Sequence, residues 1–250
     1  MILKGGVVLE MRLGRARTTH DIDVRITGNS ALLIAELHRA AAQFALDGDF
    51  LEFTVESDPK HPILDGDGVA YEGQRFRAEA KLANKIYGSR FGVDVAFGDR
   101  MAHPPEIVVG GNEFEFAGIP PIRVLAYARE VHLAEKLHAL TMPRARENSR
   151  VKDLPDLALL GMTGPFQAQA VRDAILATFN QRSTHPPPGA LPAPPERWAV
   201  PYAHMARTDR LRWATLDAVA EAARAFVDPV LAGEHGVWVP DRWCWEKPPT

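Results

Sequence analysis

Apolar and polar residues alternate one by one over Asp21-Ile22-Asp23-Val24-Arg25-Ile26, the period of a strand with one buried face. Before it, Val7, Leu9, Met11 and Leu13 follow Gly5-Gly6 in a short helical pattern. After it, Thr27-Gly28-Asn29 turns the chain, and Ser30 suits the N-cap of an alanine-rich helix from Ala31 to about Leu46. Leu51 to Val55, Arg75 to Ala80 and Phe91 to Phe97 read as strands, the last (FGVDVAF) with one carboxylate among apolar neighbours. Glu113 to Phe116 and Ile122 to Tyr127 are shorter strand candidates. Beyond Tyr127 the spacing becomes helical, over Arg129 to Leu140, Val151 to Leu160, Pro165 to Asn180 and Thr208 to Leu231. The order predicts an α+β chain: a mixed sheet with flanking helices over 1–122, then a mainly helical domain over 123–250. Within the second, residues 184–197 hold six prolines, which forbid a regular helix or central strand and predict an extended surface connection.

Composition narrows the class. The chain has 250 residues, 46% hydrophobic and 24% charged, which excludes a disordered or collagen-like protein. No apolar run reaches the roughly 18 residues of a membrane span. Met1 to Gly6 lacks the basic segment and apolar core of a secretory signal. The one cysteine, Cys244, cannot form an internal disulfide. These features together predict a cytoplasmic protein with no membrane partner. With 29 basic against 32 acidic side chains the net charge is −3, so any attraction to nucleic acid must come from a local patch.

The chemistry starts from three aspartates. Residues two apart on a strand share a face, so Ile22 and Val24 fill a core while Asp21 and Asp23 project together from the other side. Two like charges that close repel unless a cation lies between them. Asp94 repeats the pattern between Val93 and Val95; placed on a neighbouring strand, it would complete a site for a hard, oxygen-seeking Mg²⁺. A D-x-D alone also fits a pair of solvated charges. Gly5-Gly6 entering a helix adds backbone N–H groups and a helix dipole suited to a phosphate.

Gly-Gly, a short helix, D-x-D on a strand and a later lone Asp resemble the nucleotidyltransferase fold of the DNA polymerase β superfamily. The wording is closer to one family. LKGG at Leu3–Gly6, R-x-R-T-T-x-D-I-D at Arg15–Asp23, A-E-K-L-H-A-L at Ala134–Leu140 and R-V-K-D-L-P-D-L at Arg150–Leu157 resemble the AbiEii/AbiGii toxin family over residues 3–160. The resemblance implies a polymerase β-like core and the toxin half of a toxin–antitoxin or abortive-infection pair, with a cognate antitoxin as partner. It implies two Mg²⁺ ions, a nucleoside triphosphate as substrate and, as acceptor, an RNA, the 3′ end of a tRNA foremost. By position, Asp21, Asp23 and Asp94 match the metal carboxylates, Asp94 also serving the acceptor hydroxyl. Lys4, Gly5, Gly6 and Thr19 match the phosphate-binding turn, Lys136 the helix-borne lysine, and Asp153 the acid of the last motif.

Read from spacing alone, the later residues stay open. Lys136 lies on a helix with Val131, Ala134, Leu137 and Leu140 and either reaches a triphosphate or sits on a solvated flank. Asp153 and Asp156 share a helical face in the first turns, where carboxylates also simply favour the dipole. Arg146, Arg150 and Lys152 could grip phosphate or form a solvated charge run. His132 and His138 fall on different helical faces and make no zinc pair, and no G-x-S-x-G supports serine catalysis. Trp238, Trp243 and Trp245 suggest a tail docked on the body, or else a partner surface. Relatives carry a helix ahead of LKGG; here the chain begins almost on the motif, so Lys4 and the glycines are expected in a fraying terminus of a shortened chain, or of one whose true start lies upstream. Two rivals to nucleotidyl transfer onto RNA are transfer onto a protein side chain and a non-catalytic, nucleotide-holding relative.

Overall fold

A computed structural model describes residues 1–26, 32–43, 50–64, 73–97, 103–112, 115–145 and 147–247. The chain divides into two compact units, Met1–Val7 with Thr19–Arg100 and Val8–Thr18 with Met101–Thr250. The expected alternation over 21–26 forms a strand with those bounds. The turn at Thr27-Gly28-Asn29 and the cap at Ser30 lie outside the described residues.

The first unit holds β1 (Ile2–Lys4), the start of α1 (Gly5–Leu13), β2 (Asp21–Ile26), α2 (Leu33–Gln43), β3 (Leu51–Ser57), β4 (Gly73–Leu82) and β5 (Lys85–Phe97). Its strands run in the order β3-β4-β5-β2-β1. β2 and β5 are parallel and the other pairs antiparallel. One face of the sheet is apolar: Val24, Phe76, Ala78, Val93 and Val95 are buried, with Leu37 of α2 packed against them. Each of the valine and phenylalanine side chains removed from water contributes about 1.5–3 kcal/mol, which fixes the register, because a one-residue slip would turn the whole set to the polar face. The N-terminus does not follow the expectation of fraying. Ile2–Lys4 pair with Asp23–Arg25, so backbone hydrogen bonds and the burial of Leu3 against the apolar face hold Lys4 in place.

The second unit carries the rest of α1 and an antiparallel hairpin of β6 (Glu106–Val109) and β7 (Arg123–Ala126). Its helices are α3 (Arg129–Thr141), α4 (Asp153–Gly161), α5 (Ala168–Arg182), α6 (Ala199–Asp209) and α7 (Leu216–Leu231). Leu137, Leu157, Leu160, Phe179, Phe226 and Trp238 belong to one continuous core. α7 shows how sequence makes a helix here. Thr215 caps it by accepting from the Ala218 N–H at 3.2 Å, and Val219, Ala220, Ala223, Phe226, Val227 and Val230 bury a stripe at helical spacing.

Two expectations are corrected, and two elements appear that the sequence pattern did not show. The strand candidate Glu113 to Phe116 gives way, over the described Glu115–Ala117, to a 3₁₀ turn. Asn112 accepts from the Glu115 N–H and donates to its carboxylate, a local turn that competes with ladder pairing. The single helix from Thr208 to Leu231 is two helices. Arg210 adopts φ 54° and ends α6, and the Trp213 carbonyl is held at 2.7 Å by the Tyr202 hydroxyl. β6 and most of α6 were not legible as elements. The proline-rich stretch is the extended connection its sequence predicts, up to a 3₁₀ turn at Glu196–Trp198, and is anchored at Leu191, which is buried and whose N–H donates to Asp228 at 2.7 Å. The tryptophan tail is docked through a hairpin of β8 (Val237–Val239) and β9 (Cys244–Glu246). Indole N–H groups of Trp238, Trp243 and Trp245 donate to the carbonyls of Gly161, Ala222 and Phe226.

Candidate active site

The polar face of the first unit's sheet carries the three expected aspartates, and strand register sets their neighbours. Asp23 on β2 is the partner of Asp94 on β5, of Lys4 on β1, and through Asp94 of Arg75 on β4. Partners on adjacent strands point to one face, so Lys4, Asp23, Asp94 and Arg75 form a row across four strands, about 4.8 Å apart. The row reads plus, minus, minus, plus. A second row runs Asp21, Gly92, Arg77, Glu56. The three aspartates therefore share a face, Asp21 and Asp23 on β2 and Asp94 on the adjacent β5, and none of them points into the aliphatic core.

Glycine shapes this face at two points. A Cβ built on Gly5, which has φ +73°, would overlap the Asp23 carboxylate, so only glycine lets the first turn of α1 approach that closely. A Cβ on Gly92 would stand 2.5 Å from Asp21 Oδ1; the bare strand there is the space the Asp21 carboxylate uses. Gly6 lies against Thr19, whose hydroxyl donates to the Asp21 carbonyl at 3.3 Å.

Arg75 grips Asp94 in a two-pronged pair, Nε to Oδ1 and Nη2 to Oδ2, both 2.7 Å. The hydrogen bonds to Asp94 raise the guanidinium pKa further against the opposing effect of burial. Among the described residues, no three His, Cys, Asp or Glu side chains converge as a preformed metal site. The donor set nonetheless fits a hard divalent cation in kind: it is all carboxylate oxygen, drawn from adjacent strands, beside a cradle that a Cβ would fill.

The second unit holds Lys136, Asp153 and Arg150 around a residue the sequence reading ranked low, Asp156. Lys136 Nζ lies 2.8 Å from Asp156 Oδ2 and 3.0 Å from Asp153 Oδ1. Arg17 clamps both oxygens of Asp156 at 2.7 and 2.8 Å. Thr18 next to it donates to Asp209 at 2.6 Å. Burial alone would push the Asp156 carboxyl up, but the charges and hydrogen bonds of Lys136 and Arg17 bring it down to about 2. Burial likewise opposes the Lys136 ammonium, and Asp156 with Asp153 more than restores it, raising its pKa. Lys136 is thus part of a buried ion network, not a solvated flank. Asp153 Oδ2 makes no hydrogen bond among the described residues and faces the half-exposed Arg150 at 3.8 Å. Arg146 lies outside the described residues.

Arg75, Gly92, Arg17 and Asp209 were missed by the sequence reading. A glycine inside a strand and an arginine immediately before the hydroxyl pair Thr18-Thr19 were the available signals for Gly92 and Arg17.

Comparison with known proteins adds the following. JHP933 from Helicobacter pylori aligns over 93% of this chain and 84% of its own, at 13% identity and a TM-score of 0.49. A candidate nucleotidyltransferase from H. pylori aligns over 72% of each chain, at 14% identity and a TM-score of 0.39. No curated protein matches. The model of the family described as nucleotidyl transferase AbiEii toxin, type IV toxin–antitoxin system, matches residues 1–226. The chain belongs to the AbiEii family of nucleotidyl transferase toxins of type IV toxin–antitoxin systems.

Proposed function

We propose that this chain is a Mg²⁺-dependent toxin that transfers a nucleotidyl group from a nucleoside triphosphate to an acceptor hydroxyl, the 3′ end of a tRNA, in the cytoplasm, under control of a cognate antitoxin. The observation that supports it most is the row Lys4, Asp23, Asp94, Arg75 with Asp21 beside it, at the start of α1.

In this reading Asp21, Asp23 and Asp94 would hold two Mg²⁺ ions. When bound, the ions would offset charge on the triphosphate and make the acceptor hydroxyl a better nucleophile. Asp94 also aligns the acceptor hydroxyl and takes its proton. The new bond joins the acceptor oxygen to the α-phosphorus, and the bond from that phosphorus to the β-phosphate bridging oxygen breaks, releasing pyrophosphate. The N–H groups at Gly5 and Gly6, the Thr19 hydroxyl and the Lys4 ammonium receive phosphate oxygens. Lys136, Asp153 and Arg150 enter through the family pattern, Lys136 and Arg150 as phosphate cations and Asp153 as the acid of the last motif. The Arg17–Asp156 clamp holds Lys136 in position.

Incubating the purified chain with labelled triphosphates, total RNA and total protein tests this. Label is expected in the RNA fraction. Label in the protein fraction would replace the acceptor with a protein side chain. One observation favours a non-catalytic relative: Arg75 already occupies both oxygens of Asp94. Nucleotide binding with no transfer in either fraction would establish that reading instead.

A further inference from the structure

Both oxygens of Asp94 are committed to one guanidinium, yet the two side chains differ in exposure. Arg75 is 42% exposed and Asp94 17%. Arg75 can therefore leave without uncovering the core, whereas Asp94 is fixed on the sheet beside Asp23. Two register-paired carboxylates repel, and the forked guanidinium offsets that repulsion on the Asp94 side, with Lys4 the register partner of Asp23 on the other.

The neighbouring arginine shows what a purely structural pair looks like. Arg77, on the same strand and face, bonds Asp58 at 3.0 Å. The other oxygen of Asp58 accepts from the backbone N–H groups of Lys60 and His61 at 2.9 and 2.8 Å. That carboxylate braces the chain just after β3. Among the described residues, the Asp94 carboxylate bonds Arg75 and no backbone N–H.

We propose that Arg75 is a displaceable counter-cation: it holds Asp94 in the metal-free chain, competes with the divalent cation for that carboxylate, and must be released as the cation enters. This rests on the reading of Asp94 as a metal ligand. Arg75 is a positioning residue that sets how readily the site loads.

The test is Mn²⁺ titrated into the nucleotide-free protein and followed by electron paramagnetic resonance. Arg75→Gln is expected to tighten Mn²⁺ binding by about tenfold, the worth of a charge-assisted pair removed as competitor. Arg75→Lys, a point charge without the fork, is expected to tighten it less, and Arg77→Gln not at all. In an Asp94→Asn background, Arg75→Gln is expected to change nothing. Thermal melts establish which variants fold; if Arg75→Gln does not, Arg75→Lys carries the test. Unchanged or weaker binding in a folded Arg75 variant, with binding still lost on Asp23→Asn, would overturn the role of Arg75 alone. No Mn²⁺ binding by either the native chain or its Arg75 variants would overturn the metal reading as well.

Discussion

Replacing Lys136 by methionine separates its structural from its chemical role. Methionine keeps most of the stem and removes the charge. Lys136 is 15% exposed, and its partners Asp153 and Asp156 are 5% and 0% exposed. Asp156 would keep the Arg17 clamp, but among the described residues Asp153 would keep as its ion pair Arg150, at 3.8 Å and half in solvent. Removing one partner of a buried ion pair leaves an uncompensated charge and costs about 3–5 kcal/mol. Against a typical total of about 5–15 kcal/mol, that is a large share. Urea unfolding is expected to show this loss as a lower midpoint at unchanged slope. Adding Asp153→Asn to Lys136→Met should recover about half of it, because the stranded charge is gone. A loss below about 1 kcal/mol would refute the reasoning and mean that the ammonium is not needed by the fold. An inactive Lys136 variant is informative about chemistry only at a temperature where it is folded.

Two further outcomes follow from the geometry. His132 is buried, neither ring nitrogen has a hydrogen-bond partner among the described residues, and burial, with Lys136 nearby, holds its pKa down to about 3 from 6.5. The folded state stays neutral while the unfolded chain takes up a proton below 6.5, so stability is complete above that pH and falls as pH drops toward 3. Near pH 4.5 the native chain should have lost about 3 kcal/mol that His132→Leu does not lose, and superimposable pH–stability profiles would contradict this. Gly92→Ala should cut nucleotidyl transfer by about tenfold or more through displacement of the Asp21 carboxylate, with a melting temperature close to native; full activity in the folded variant would show that the space over Gly92 is not used.

The sequence made the sheet legible where one face is buried. Alternation at 21–26 and 91–97 fixed which side Asp21, Asp23 and Asp94 leave from, because the apolar partners Val24, Val93 and Val95 have one place to go. It could not show that Asp23 and Asp94 are register partners, since register is a property of two strands and their connections. Arg75 was hidden for the same reason: an arginine in an alternating strand is an ordinary surface residue until its partner is known. Asp156 looked like a dipole-favouring charge in the first turn of a helix. Its role depends on Arg17, far off in sequence, and long-range ion pairs leave no periodic trace. β6 escaped because Ile107 and Val109 are exposed and the short strand lacks a clear buried face.

The central claim is that the carboxylates of the row are the groups that make transfer possible. The direct measurement is label transfer from a triphosphate to RNA by Asp21→Asn, Asp23→Asn and Asp94→Asn, each made singly and each shown to be folded by its melting curve. Transfer by the native chain, abolished in all three, is the expected result; transfer at the native rate in any folded member of the set would contradict the account.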